Sequence, residues 1–267
     1  MRLQDQVALV TGGGSRDNAL IGPAIALGYA REGAHVGIVD QNAATVERVT
    51  AQVRELGRRA LGLTADLTRP DEVQRVVDAM VAAFGRIDIL CNALAYTNNQ
   101  SVFDYSFEEW NRHINEGLTS TFLCCQAVAH EMVKQRRGKI VNITSIVGKL
   151  GPGGAVAWAA SRGGVDAMTR ALAHTRGYWN INVNGLARGN MRPPSEWNEE
   201  IQERLRRIPF GRTGTPEDLV GPAIFLASSE ADFITGHILY ADGGYTSAAV
   251  TEDQFRPEWA RRRQPAG

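Results

Sequence analysis

The sequence predicts an α/β protein built on one doubly wound, mostly parallel sheet of about seven strands, with helices on both faces. Three observations predict it. Apolar runs of strand length alternate with stretches of helical periodicity along all 267 residues, an alternation that implies right-handed crossovers. The first such run is continuously apolar, as in a strand buried on both faces. Glycines gather at the starts and ends of these segments; the chain holds 28, above the ordinary share of about 7%.

The elements follow in order. Val7–Val10 is a first strand ending in Thr11-Gly12-Gly13-Gly14. An Ala-rich helix runs from about Gly22 to Glu32, Gly33 stops it, and His35–Asp40 is the second strand. Residues 42–56 are read as helix, 60–64 as strand and 70–84 as helix. In the last of these, Val73, Val76, Val77, Met80, Val81 and Phe84 share one apolar face. Strands are expected at Ile87–Asn92 and Lys139–Thr144, around a long helical region over 107–136. A helix over 158–178, a strand near 182–186, a helix after Thr215-Pro216-Glu217-Asp218 and a strand at Ile238–Ala241 complete the pattern. Thr215 is the expected N-cap there, with Pro216 at the first helical position and the acids at the positive helix end.

Composition narrows the function. With 29 Lys+Arg against 29 Asp+Glu, nothing electrostatic suggests a nucleic acid or an anionic membrane as partner. No uncharged apolar run reaches the roughly 18 residues of a membrane span, and Met1-Arg2-Leu3-Gln4-Asp5 opens no signal peptide. A cytoplasmic protein is expected. No linker or composition shift divides the chain, so residues 1–267 are read as one domain, with 250–267 a C-terminal arm. Cys91, Cys124 and Cys125 sit in apolar stretches without CxxC spacing and are expected to be buried packing residues. The five histidines show no paired spacing, and no metal site is expected.

In such folds a ligand sits beyond the carboxyl ends of the strands. The chain there reads TGGGSRDNALIG, Thr11 to Gly22. Glycines let the backbone approach a pyrophosphate, and the helix that follows favours negative charge at its start. Asp40, at the end of the second strand, is placed to accept hydrogen bonds from a ribose diol and would repel a 2′-phosphate. NAD rather than NADP is therefore the expected dinucleotide.

These features resemble the short-chain dehydrogenase/reductase family, of Rossmann type, over nearly the whole chain. The family's TGxxxGxG turn is matched by Thr11, Gly12 and, across an insertion, Gly22, with Gly14 inside the turn. Asp66 matches the acid that contacts adenine, and Asn92 opens the stretch equivalent to NNAG. Asn115 matches the family's helix asparagine, Ser145 its catalytic serine, and Gly189 the glycine after the sixth strand. The segments Gly211–Asp218, Ile234-Thr235-Gly236 and Asp242-Gly243-Gly244 are also very like the family.

The resemblance implies hydride transfer between a nicotinamide and an alcohol or carbonyl. It further implies a Tyr thirteen residues after the serine as proton carrier, and a Lys four residues later that lowers the Tyr pKa and holds the nicotinamide ribose. Those positions are Trp158 and Arg162. An indole N–H only donates and cannot shuttle a proton near neutral pH, and a guanidinium cannot deprotonate to join a relay. Losing a positioned acid–base costs on the order of 10²–10⁴ in rate, about 3–5 kcal/mol. Other departures cluster with these two. Leu20 replaces the glycine nearest the pyrophosphate, beside an insertion that includes Arg16, Asp17 and Asn18. Ala93 and Ala95 replace the second Asn and the Gly of NNAG, and Arg188 replaces a Pro.

Three readings follow. The first is a non-catalytic member supporting an active paralogue in a homo- or hetero-oligomer, with NAD binding weakened or lost. The second is a non-standard NAD-dependent oxidoreductase acting on an alcohol or ketone, with Tyr96 as substitute proton donor beside Ser145 and Asn115. The third is non-redox chemistry of the halohydrin-dehalogenase kind, which Arg162 fits and Trp158 does not. Arg162, Arg188 and Arg192 either face one cavity suited to a carboxylate, phosphate or acyl-CoA, or are separate structural cations. Arg261-Arg262-Arg263 belongs to the terminal arm.

Overall fold

The sheet is seven-stranded and wholly parallel, in the order β3-β2-β1-β4-β5-β6-β7. The computed structural model describes residues 1–12, 20–98, 100–152, 154–191, 205 and 207–247. The strands are β1 (Val7–Thr11), β2 (His35–Asp40), β3 (Ala60–Thr64), β4 (Ile89–Asn92), β5 (Gly138–Ser145), β6 (Ile181–Arg188) and β7 (Ile238–Ala241). The helices are α1 (Ile21–Arg31), α2 (Ala43–Glu55), α3 (Pro70–Phe84), α4 (Phe107–Ile114), α5 (Ser120–Gln135), α6 (Val147–Leu150), α7 (Val156–Arg176) and α8 (Glu217–Ala227). The expected Rossmann-type architecture is present. The arm at 250–267 and residues 13–19 and 192–200, with Gly14, Arg16, Asp17, Asn18 and Arg192, lie outside the described residues.

Alternation along each strand divides the apolar residues between two cores. Ala8, Val10, Val36 and Ile38 face α1, α2 and α8 in one layer. Val7, Leu9 and Val39 face the opposite layer, with Val73, Val76, Val77 and Met80 of α3 and Cys124, Cys125 and Val128 of α5. Each fully buried Val, Leu or Ile contributes about 1.5–3 kcal/mol, so the sheet needs both covers. All three cysteines are free and buried, as expected. Burial pushes the Cys91 and Cys125 thiols up to about 12, so they are inert near neutral pH.

Four local expectations are corrected. Strand β4 begins at Ile89 rather than Ile87, because Gln135 takes both backbone groups of Ile87, at 3.1 and 2.9 Å. The long helical region expected over 107–136 is present, and within it Asn115–Thr119 is π-helical and separates α4 from α5. Ser120 and Thr121 donate to the carbonyls of Glu116 and Gly117 there, both at 2.8 Å. Helix α7 starts at Val156, two residues early, and β6 extends to Arg188. Thr215 is not the N-cap of α8: its N–H donates to the Asp218 carboxylate at 2.8 Å, and Pro216 occupies the cap position.

The candidate active site

At the end of β1, Gly12 is the only glycine of the Thr11–Gly14 run among the described residues. Gly12 has φ +75°, and a Cβ there would lie 2.6 Å from the backbone of Ala93 and Leu94. A Cβ on Gly22 would collide with the carbonyl of Gly12. The two glycines therefore let α1 seat directly on the end of β1. Between them stands Leu20, the residue preceding α1, in the left-handed region at φ 62°, ψ 24° and 52% exposed. That conformation costs an ordinary residue about 1–2 kcal/mol and suits glycine. A backbone conformation that suits glycine here carries a leucine side chain.

The adjacent strand ends complete this half. Asp40 is buried at the end of β2 and accepts from the Asn42 N–H at 2.8 Å. Asp66 is half-buried beyond β3, accepting from the backbone and hydroxyl of Thr68 at 3.0 and 2.7 Å. Asn92, at the end of β4, is buried and donates to Asn142 Oδ1 at 2.9 Å and to Cys125 Sγ at 3.3 Å. Asn142 in turn donates to Thr169 at 2.9 Å. This polar chain ties β4, β5 and α7 together inside the core.

Ser145, Trp158 and Gly189 come together at the ends of β5 and β6. They line one cavity of about 230 Å³ with Arg188, Arg207 and Tyr245. Ser145 is 1% exposed. The Trp158 Nε1 is buried and makes no hydrogen bond, and the Arg188 guanidinium lies 5.1 Å from the centre of its ring, within cation–π range. Gly189 packs its Cα against Asp242, leaving no room for a Cβ.

Arg162 is placed elsewhere. It is 2% exposed and does not line that cavity. Its terminal nitrogens donate to the Ile143 carbonyl at 3.3 Å and Ser161 Oγ at 3.2 Å, while Nε is buried without a partner. Burial lowers its pKa to about 10, with Asp166 opposing the shift. A Cβ on Gly117 would collide with this guanidinium, so the π turn leaves the notch into which the longer side chain folds. Asn115 opens that turn and is exposed, its Oδ1 accepting from Thr119 at 3.4 Å.

Tyr96 packs on α4 rather than beside Trp158. Arg112 covers its ring at 3.9 Å, and His113 meets it edge-on with ring centres 4.7 Å apart. Desolvation raises its pKa, the wrong direction for a proton carrier near neutral pH. The sequence reading missed Arg207 and Tyr245 at the cavity, and also His113. The buried His113 ring accepts from the Asn98 N–H at 3.1 Å and pairs with the Glu109 carbonyl at 2.9 Å, fixing the loop after β4. Tyr245 carried a signal: Asp242-Gly243-Gly244-Tyr245 directly follows the last strand, where ligands gather in parallel sheets. Arg207 carried none.

This geometry meets a decisive likeness. The profile of the family described as enoyl-(acyl carrier protein) reductase matches residues 14–246. A solved short-chain type dehydrogenase/reductase from Mycobacterium marinum superimposes with a TM-score of 0.84 at 32% identity, over 92% of this chain and 97% of that one. The chain belongs to the short-chain dehydrogenase/reductase family. The 2-dehydro-3-deoxy-D-gluconate 5-dehydrogenase of Escherichia coli K12 is 39% identical over 251 residues, 91% of this chain and 96% of the relative. The (2S)-[(R)-hydroxy(phenyl)methyl]succinyl-CoA dehydrogenase subunit BbsD of Thauera aromatica is 38% identical over 248 residues, 91% of this chain and 98% of the relative.

The family is one of oxidoreductases that use a nicotinamide dinucleotide. The residues present fit that group in one half only. Gly12, Gly22, Asp40 and Asp66 suit an adenosine and its phosphate turn, whereas the chain offers no phenol or ammonium at 158 and 162. Arg162 is already engaged by Ile143 and Ser161. Among the described residues, no helix is long and apolar enough to cross a membrane.

Proposed function

We propose that this chain is a non-catalytic subunit of the short-chain dehydrogenase/reductase type, supporting an active relative within an oligomer. One observation carries the reading. The position equivalent to the proton-carrying tyrosine holds an indole whose Nε1 is buried and unpartnered, and the cation four residues on is folded into the core. Among the described residues lining the cavity beside Ser145 there is no His, Cys, Lys, Asp or Glu. Leu20 adds bulk at the diphosphate turn. That the Thauera aromatica relative is named as a subunit of a dehydrogenase supports an assembled working form.

A second reading has its own support. The relatives are named as dehydrogenases at 38–39% identity, and Ser145 and Asn115 stand at the family's positions. On that reading the chain is an NAD-dependent oxidoreductase of an alcohol or ketone, with a proton donor other than Trp158. The packing of Tyr96 on α4 favours neither its reach nor its acidity for that role.

The discriminating experiment is a calorimetric titration of the isolated chain with NADH, followed by nicotinamide absorbance with a panel of ketones and alcohols. Weak or absent binding, no turnover, and co-purification of a second family member from the native source are expected. Brisk turnover by the isolated chain would overturn the first reading and establish the second. Tyr96→Phe in that assay separates the proton donors: unchanged turnover would remove Tyr96 from the mechanism.

A further inference from the structure

His113 is a buried titratable side chain outside the cavity, on α4 and 1% exposed. Its two ring nitrogens face partners that allow one protonation state. The Asn98 N–H can only donate, so Nε2, at 3.1 Å, carries no proton. The Glu109 carbonyl can only accept, so Nδ1, at 2.9 Å, carries the ring's one N–H hydrogen. Asn98 is fastened to the same segment at two further points. Its carbonyl accepts from the Tyr105 hydroxyl at 2.7 Å, and its side-chain amide donates to the Glu109 carboxylate at 2.9 Å. Two residues on, the Gln100 N–H donates to the Gly154 carbonyl at 2.9 Å, next to Ala155 of the cavity wall. The loop after β4 is thus clamped to α4 and tied to the segment that enters α7.

We propose that His113 is a proton-operated latch for this loop: neutral, it holds Asn98; charged, it lets Asn98 go and pairs with the Glu109 carboxylate. A proton on Nε2 sets a donor against the Asn98 N–H, while the Glu109 carboxylate, 3.9 Å from Nδ1, favours the imidazolium. The same carboxylate binds the Asn98 amide, so two bonds that fasten Asn98 compete with one ion pair. Tyr96 and Tyr105 meet the ring edge-on, with centres 4.7 and 5.8 Å away. Arg112 covers Tyr96, and Glu116 in the π turn takes its charge at 2.8 Å. On α7, which packs against α4, the buried charges are Arg162 and Asp166, and Arg162 is bound to Ile143 and Ser161. An imidazole ordinarily changes charge between about pH 5 and 8. The inference stands apart from the non-catalytic reading, because the latch acts on the loop whatever the cavity binds.

The test is hydrogen–deuterium exchange of the full-length chain without dinucleotide, at about pH 7.5 and about pH 5.5, with labelling times matched for the pH dependence of chemical exchange. Peptides spanning Asn98 should exchange at least about threefold faster at the lower pH, the worth of the hydrogen bonds released, while α5 and the strands keep their protection. His113→Gln offers Oε1 to the Asn98 N–H and an amide N–H to the Glu109 carbonyl but takes no proton, so its loop should stay protected at both values. Glu109→Gln keeps an acceptor for Asn98 and removes the charge that favours the imidazolium, so its release should move to lower pH. Melting curves confirm that each variant is folded; should His113→Gln not fold, Glu109→Gln decides alone. Equal protection of the parent loop at both pH values overturns the proposal, as does a pH response that His113→Gln retains or Glu109→Gln leaves in place. Loosening spread equally over α5 and the sheet overturns it too. None of these outcomes bears on the NADH titration, so the two readings fail separately.

Discussion

The β1–β3 side of the sheet and the β5–β6 side meet at the same rim, yet they are built differently. On the first side Gly12 and Gly22 pack backbone on backbone, and Asp40 and Asp66 close their strands with local hydrogen bonds. On the second, Trp158 lines the cavity beside Ser145 and Arg162 is buried against Ile143. Gly22 cannot change without moving α1 off the sheet. Ser145 and Trp158 border a cavity on the second side with Arg188 and Arg207, while Arg162 turns away from it.

The largest effect expected from breaking this contrast is catalytic. Restoring Leu20→Gly, Trp158→Tyr and Arg162→Lys together should raise NADH-dependent ketone reduction at least about 10²-fold over the parent chain, measured by absorbance. A variant that binds NADH and still reduces nothing would place the difference between the two sides in other residues.

Next in size is the structural role of the conserved-looking turn. Gly22→Ala forces a methyl into the Gly12 carbonyl and should cost about 3 kcal/mol, read as a fall in Tm of roughly 6–12 °C. A Tm within a degree of the parent would show that α1 is free to shift, and the packing argument would fail.

Leu20→Gly alone should move stability the other way. It relieves a left-handed leucine that is 52% exposed, against the extra freedom glycine has when unfolded, for a net gain of about 0.5–1 kcal/mol. Thermal denaturation checks this, and a loss of stability would mean that the leucine side chain packs favourably where it stands.

The smallest effect comes from Asp218, in the first turn of α8. The Arg212 fork, at 2.7 and 2.8 Å, holds its carboxyl at about 2, below its ordinary value. A depressed folded-state pKa stabilises above the unfolded value and is lost as pH falls through the folded one. Stability should therefore drop between about pH 4 and pH 2. Because the two side chains are 49% and 34% exposed, solvent screens the pair to about 1 kcal/mol or less. Asp218→Asn should flatten that part of the pH–stability curve.

Much of this molecule was legible in its residues. Strand and helix order, the two-sided core and the buried cysteines all follow from local rules of periodicity and steric demand, which act over a few neighbours and leave a pattern in the chain. The start of β4 at Ile89 and the π turn at Asn115–Thr119 were not legible, because each depends on a partner outside its own segment: Gln135 for one, the buried Arg162 guanidinium against Gly117 for the other.

The same division holds at the site. Sequence alone determined that Trp158 and Arg162 stand at the spacing of a tyrosine and a lysine, since spacing is a property of the chain. Only the tertiary structure decided that Arg162 turns into the core while Arg188 and Arg207 line the cavity. A long cation goes where an acceptor or a space is offered, and both are made by strands and loops far away in the sequence.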